Sequence, residues 1–389
     1  MALSITTVAL LEREIIANLD NMTVIRPFAN HKFEGELKRQ GSVVTVQSLG
    51  DVTWNRGGTA GAAITAGTLT VTNYSLTVNE CDQINIPVAD ITEVQYNRDA
   101  QSDVASRISV GLAQIMDKYT AQLAVINATT KNISLTALTT ANIFSTIARL
   151  KTDLAKKNVD LGGVGVFISP EMENWLVQAD EFDNSDRGVG VRENGYVGKI
   201  SGLKVYVSNN MPHVKSLTLP TIATAGDSII LGGVTFSLVA NGAANAAGDI
   251  SIGANVAANQ VNIVNAINGT GTVGASAYVE ISAANRLLLK NAFIKCASAF
   301  ASNVLRIYSA ATMATTEAIT PADGVISADG TIMFAMDKDA VNVADQMTKM
   351  DSRDQVDAFT ANLIGEYVYG GAVLGRNADR IATYDISNG

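Results

Sequence analysis

The stretch FEGELKRQGSVVTVQSLGDVTW, residues 33–54, poses the architectural problem of this chain. Its charges, Glu34, Glu36, Lys38, Arg39 and Asp51, bracket a run of strand period, with Val44 and Val46 on one face and Val43, Thr45 and Gln47 on the other. Gly, Ala and Thr dominate the next residues, NRGGTAGAAITAGTLTV (55–71). A second alternating run, LTVTNYSLTVNECDQINIP (69–87), puts Tyr74, Leu76 and Val78 on one face and leads towards Ile84 and Ile86. Two such strands joined by a soft tip reach roughly 45–55 Å at about 3.4 Å per residue. A two-stranded ribbon is marginal in water, and an uncovered edge pairs readily with another chain. The pattern therefore implies that another subunit covers the hairpin.

Outward from the hairpin, the periodicity becomes helical. Between Arg98 and Asn127, Val104, Ile108, Leu112, Ile115, Tyr119, Leu123 and Ile126 recur at spacings of four and three. That spacing predicts a helix of about 43 Å, at about 1.5 Å per residue, in which Gly111 suits close packing. Upstream, residues 7–20 place Leu10, Leu11, Ile15 and Leu19 on an amphipathic stripe. Downstream, residues 139–157 predict a second helix, VGVFISP (164–170) a buried strand, and PEMENWLVQAD (170–180) a short helix with Pro in its first turn. A charged loop (180–195) leads into YVGKISGLKVYVSNN (196–210), a glycine-hinged strand.

Charges nearly vanish from about 214 to 323. Short strands in SIILGG, VTFSLVA, YVEIS and VLRIYS flank one helical run, NVAANQVNIVNAIN, which reads as a small inserted α+β domain. The host pattern resumes with TIMFAMDKDAVNV (331–343), a charged connector DQMTKMDSRDQVD (345–357), a strand in AFTANLIGEYVYGGAVL (358–374) and a closing RIATYDI (380–386). No internal repeat is evident.

Composition narrows the function. The chain is 47% hydrophobic but only 6% aromatic, with 32 glycines among 389 residues, which suits sheet-rich scaffolding better than small-molecule pockets. A net charge of −9 supplies no basic surplus for gripping phosphates. Cys81 and Cys296 stand apart, in no disulfide or zinc pattern, and suit a reducing cytoplasm. The N-terminal residues lack a signal-peptide pattern, because Glu12 and Glu14 interrupt the apolar run. No apolar window is long enough to span a membrane. His31 and His213 lie in unrelated contexts and read as surface or turn residues. No phosphate loop, dinucleotide fingerprint or nucleophile elbow is present. The acidic loop Asp180, Glu181, Asp183 and Asp186 has clustered carboxylates without calcium-loop spacing, and reads as solvated or inter-subunit rather than metal-binding. No cofactor or catalytic residue is expected, and the chain reads as no enzyme.

The order of parts (arm helix, long soft hairpin, long helix, mixed body, small insertion, returning strand) resembles the major capsid protein of tailed bacteriophages, the Hong Kong 97 capsid fold. MTVIRPFANHKFEGELKRQGSVVTV (22–46) looks like the approach to the extended loop of such coat proteins. GYVGKISGLKVYVSNNMP (195–212) looks like their Gly-x-Ile-x-Gly strand, here Gly198, Ile200 and Gly202. The resemblance implies an α+β chain with an N-terminal arm at 1–32 and the extended loop with its return into the peripheral domain at 33–97. The spine helix and following turn would take 98–138, and the first part of the axial domain 139–213. The inserted domain would occupy 214–323, and 324–389 would return to both domains.

It further implies hexamers and pentamers closing into an icosahedral shell around double-stranded DNA, in a virion assembled in the host cytoplasm. Partners would be other copies of the chain, a separate scaffolding protein, a portal and a cement or decoration protein, with no membrane. Inter-subunit contacts are expected from Glu34, Glu36, Lys38 and Arg39 at the hairpin base and from Trp54, Arg56, Gly57 and Gly58 at its tip. Trp54 would either anchor in a neighbour or cap its own hairpin. Two alternatives stay open: an encapsulin-like compartment, and an interaction or adhesion protein using the inserted domain.

Some coat proteins of this kind weld subunits through a lysine in the extended loop. Here no lysine lies between Lys38 and Lys118. Boiled assemblies are therefore expected to run as a single monomer band, and covalent ladders by mass spectrometry would overturn this.

Overall fold

A computed structural model describes residues 15, 23–33, 41–49, 71–89, 99–134, 138–179, 196–301, 303–313, 315–318, 324–327, 330–354 and 360–387. The chain divides into two compact units, Met1–Ala113 with Lys338–Arg380, and Gln114–Asp337 with Ile381–Gly389.

In the first unit, β1 (Val43–Leu49) pairs antiparallel with β2 (Val71–Thr77), in register from Val43 opposite Thr77 to Leu49 opposite Val71. The second alternating run does not continue as one strand. It breaks at Val78-Asn79, and β3 (Glu80–Ala89) joins a different, three-stranded sheet of order β17 (Asn342–Asp354), β18 (Thr360–Ala372), β3. The charged connector expected at 345–357 is likewise mostly strand β17. Asp, Lys and Arg depress local strand preference, but a partner paired from Asn342 opposite Ala372 to Asp354 opposite Ala361 outweighs it. Of the predicted N-terminal helix only Ile15 lies within the described residues; it is helical and fully buried, and Ser109 Oγ donates to its carbonyl at 3.3 Å.

Helix α1 (Asp99–Asn127) carries the chain from the first unit into the second. The large apolar stripe is only part of its buried surface. Ser109, Ala113, Met116, Thr120 and Ala124 are buried more deeply than Ile108, Ile115 and Leu123, and Thr120 satisfies its hydroxyl on Met116 O at 2.8 Å. Gly111 is not a packing glycine: it is exposed, and a Cβ there would meet no atom within 4 Å.

The second unit is built on a ten-stranded sheet. Its main path runs β12 (Lys295–Ala301), β13 (Val304–Ser309), β8 (His213–Thr218), β16 (Gly330–Asp337), β5 (Val164–Ile168), β7 (Leu203–Val207) and β6 (Tyr196–Ile200). β15 (Val325–Ile326) pairs with β8, and β19 (Ile381–Ser387) lies between β16 and β4 (Thr130–Ser134). Helices α2 (Ile143–Lys156) and α3 (Pro170–Ala179) cover one face, where Ile147, Leu150, Leu154, Met172 and Leu176 share a core with Val166, Val205, Met333 and Ala382. The glycine-hinged strand is in fact a hairpin: Ser201 (φ 52°) and Gly202 (φ 81°) make a two-residue turn between β6 and β7. That accounts for the Gly-x-Ile-x-Gly letters, because Ile200 is fully buried and Gly202 supplies the left-handed turn.

The low-charge segment feeds two sheets. β8, β12 and β13 belong to the large sheet, while β11 (Asp249–Ser251), β10 (Val234–Val239), β9 (Ser228–Leu231) and β14 (Thr315–Ala318) form a separate four-stranded one. Helix α4 (Val256–Asn268) packs Ile263, Ala266 and Ile267 into a core with Ile229, Phe236, Leu289 and Leu305. YVEIS is not a strand. Tyr278 makes one bridge to Ile250, and Ser282 then caps a helix, α5 (Ala283–Asn291), by accepting from Asn285 N at 3.2 Å.

In the first unit the hairpin base and the three-stranded sheet meet at Gly370, where a Cβ would stand 2.6 Å from Val78 Cα. Gly370→Ala is expected to cost about 1–3 kcal/mol or more through backbone displacement, read as a lowered urea midpoint with an unchanged slope.

Candidate functional site

The residues expected at inter-subunit contacts, Glu34, Glu36, Lys38, Arg39, Trp54, Arg56, Gly57 and Gly58, and the acidic loop Asp180, Glu181, Asp183 and Asp186, all lie outside the described residues. What the structure describes is the ribbon adjoining them, β1 and β2. Gly41, at φ 86°, turns the chain into β1; its N–H donates to Val78 O at 2.7 Å, and Val78 N donates to Ser42 O at 3.1 Å. The inward face seats Leu76 and Val78 against Ala344 and Val368, with Phe33, Val44, Cys81 and Ala372 around them. The outward face presents Val43, Thr45 and Gln47 beside Val71, Asn73 and Ser75, all exposed and all uncharged. Val43 and Val71 are each more than half exposed. A two-stranded ribbon with such a face, and with no further strand paired to it among the described residues, is suited to being covered by another chain.

The segment leading to the hairpin is pinned by polar contacts. Asp345 on β17 receives Arg26 Nη2 at 2.9 and 3.2 Å and the Tyr367 hydroxyl, with His31 Nδ1 at 3.7 Å. His31 Nε2 lies 3.1 Å from Arg26 O, so this histidine is part of a half-buried ion-pair cluster rather than a simple surface residue. Backbone bonds extend the attachment: Asn30 N donates to Val341 O at 2.7 Å, and Val343 N to Asn30 O at 3.1 Å.

The second unit holds a row of buried charge that sequence reading missed. Asp385 on β19 is 1% exposed, and Arg306 on β13 lies with its Nε 3.5 Å from the carboxylate. Arg306 Nη1 also donates to Ser216 Oγ. The Asp385 oxygens accept no hydrogen bond from the described residues. Burial therefore dominates and pushes the carboxyl up to about 6, against the opposing pull of Arg306 and Lys131. Burial lowers the Lys131 ammonium and raises the Tyr308 hydroxyl in the same region. The only advance signal was register: Arg306 and Asp385 each sit in a short apolar strand, where a charge is costly.

Among the described residues no group of three or more His, Cys, Asp or Glu is placed to hold a metal ion. Cys81 is raised by burial and by Glu366, and Cys296 is pushed up to about 12 by burial, so neither presents a thiolate. No described helix is long and apolar enough to cross a membrane.

No family model and no curated protein matches this chain by sequence. Solved structures do. A structure of Mycobacterium phage Che8 matches with a TM-score of 0.52 at 16% identity, over 93% of this chain and 90% of the other. The capsid structure of the cyanophage P-SCSP1u matches with a TM-score of 0.50 at 13% identity, over 95% and 88%. The chain thus has the α+β Hong Kong 97-type capsid fold that its sequence resembles.

The Asp385 carboxyl holds its proton to higher pH when folded than when unfolded. Its contribution to stability is present below about pH 4 and is lost as pH rises through about 6. Asp385→Asn should remove on the order of 2–3 kcal/mol of pH dependence across that window, at about 1.4 kcal/mol per pKa unit. Urea titrations of both proteins at several pH values within the window check this; parallel curves would refute it.

Proposed function

We propose that this chain is a structural virion protein that self-assembles as hexamers and pentamers into an icosahedral shell around double-stranded DNA. The observation that carries the reading is the fold shared, over nearly the whole chain, with a cyanophage capsid structure. The uncharged outward face of the hairpin supports it, since β-branched and amide side chains on a two-stranded ribbon are stabilised when a neighbouring subunit covers them. The net charge of −9 suits a container that encloses DNA without gripping it. In this reading residues 214–323 form an insertion on the axial domain, and the peripheral domain carries the extended loop. A separate scaffolding protein, a portal and a cement protein complete the particle, which forms in the host cytoplasm.

Glu34, Glu36, Lys38 and Arg39 pair across subunits and set register, each exposed pair contributing about 0–1 kcal/mol. Trp54, with Arg56 and Gly57-Gly58, anchors the tip in a neighbour, and the acidic loop at 180–186 is a further inter-subunit element.

Negative-stain microscopy of the purified chain, expressed with and without a scaffolding protein, tests the class. Closed shells or five- and six-fold capsomers are expected, and a monomer under every condition overturns the reading. DNA recovered from shells made during infection separates a virion from a compartment with protein cargo. Trp54→Ala is expected to weaken each tip contact by about 2 kcal/mol, roughly 30-fold, so particle yield falls while the urea midpoint of the free subunit stays put. Normal yield would argue that Trp54 caps its own hairpin.

A further inference from the structure

Asparagine followed by glycine is a reactive pair, because the glycine nitrogen can attack the asparagine side-chain amide and, with no Cβ, meets little hindrance. The dipeptide occurs twice among the described residues, at Asn241-Gly242 and Asn268-Gly269, and the fold treats the two in opposite ways. Asn268 ends α4, half-buried, with both ends of its amide tied to the backbone of β12. Its Nδ2 donates to Cys296 O at 2.7 Å, and Cys296 N donates to its Oδ1 at 2.8 Å. The Gly269 N–H donates to Asn265 O and closes the helix. Ring closure there has to break all three bonds.

Asn241 is exposed, in the turn that follows β10, where Ala243 N donates to Ala240 O at 3.0 Å and Gly242 takes φ 78°. Beside it stands the hydroxyl of Ser251, the fully buried last residue of β11. Ser251 Oγ accepts from Gly242 N at 3.1 Å and donates to Asn241 Oδ1 at 3.3 Å. The backbone that carries this hydroxyl is fixed: Ser251 N donates to Ala277 O at 2.8 Å, and Ser251 O accepts from Asn262 Nδ2 at 2.8 Å. One hydroxyl therefore touches both the nitrogen that attacks and the oxygen of the carbonyl under attack.

We propose that Asn241 is a self-modification site, converted to aspartate and isoaspartate through a succinimide, with Ser251 as the proton relay. The Gly242 nitrogen bonds to Asn241 Cγ as its proton passes to Ser251 Oγ, and the Ser251 hydroxyl proton passes to Asn241 Oδ1. The tetrahedral carbon then collapses: the Cγ–Nδ2 bond breaks, and ammonia leaves with the Oδ1 proton. Water adds to either ring carbonyl and opens the ring. Serine is regenerated, and the net reaction turns an amide and water into an acid and ammonia. The relay needs no separate base, because it moves protons between groups already hydrogen-bonded to it. The product adds one negative charge to an exposed turn of a chain already at −9. This modification goes beyond the shell reading and stands without it.

The test is peptide mapping by mass spectrometry of the full chain held at mildly alkaline pH, folded and unfolded in guanidinium chloride. Acid and isoaspartate content are followed at positions 241 and 268. In the folded chain Asn241 is expected to convert at least about tenfold faster than Asn268, and faster than it does itself when unfolded. Unfolded, the two positions should converge. Ser251→Ala should slow Asn241 about tenfold in the folded chain, and leave both its unfolded rate and Asn268 unchanged. A loosened fold would raise the Asn268 rate, so that position reports whether the variant has kept its structure. If it has not, the folded-against-unfolded comparison in the unaltered chain decides. Slower conversion of Asn241 folded than unfolded would overturn the proposal, since the bonds to Ser251 would then protect the amide. An unchanged or faster rate in a folded Ser251→Ala chain would overturn it too, as would aspartate without isoaspartate, the mark of direct hydrolysis.

Discussion

Where β18 passes the junction of β2 and β3, two backbones approach so closely that only glycine fits. A Cβ at position 370 would fall on Thr77 and Val78, and one at Gly375, itself at φ 54°, would stand 3.1 Å from the Tyr74 ring. This contact lets Leu76 and Val78 reach Ala344 and Val368, so that the ribbon has an apolar footing on the three-stranded sheet. A hairpin of this kind has too little inward surface to stand alone. Among the described residues its outer face is uncharged, and the inward face of the base is sealed on the sheet. The segment before it is pinned to the same sheet through Arg26 and Asp345, which brings both approaches to the hairpin onto one platform.

The second unit solves a different problem. β16 lies inside its sheet, with β19 along one edge and β8 and β5 sharing the other. Both its faces are buried over Ile332–Asp337. One face of the sheet is apolar under α2 and α3. The other carries Phe167 stacked on Phe334 and Tyr206, at 4.9 and 5.6 Å between ring centres, and the charge row of Arg306 and Asp385. An ion pair at that depth is not a simple source of stability, because taking both charges out of water offsets much of their attraction. It joins β13 to the closing strand, whose pairing depends on the final residues of the chain finding their place.

Periodicity and turn chemistry made much of this legible in advance. The long helix, the helix over Ile143–Lys156, the strand ended by Pro170 and the hairpin faces all follow from spacing alone. The misreadings share a cause. β17 was hidden by its charges, because its strand state is set by β18. α5 was hidden because Leu287, Leu288 and Leu289 form a run with no period, two of them facing solvent. The hairpin at Ser201-Gly202 passed for a hinge, since a non-glycine at φ 52° leaves little mark in sequence. The residues expected to make inter-subunit contacts lie outside the described residues.

By itself the sequence determined much of the local vocabulary: where most of the helices and strands lie and how the hairpin residues divide between two faces. Local periodicity suffices for that, because it records which side of an element meets water. Only the tertiary structure decided which strands share a sheet, that the low-charge segment contributes to two of them, that Asp385 and Arg306 meet in the interior, and that α5 turns two of its three leucines outward. Those outcomes depend on residues tens to hundreds of positions apart, and no window of sequence records how a distant backbone will approach.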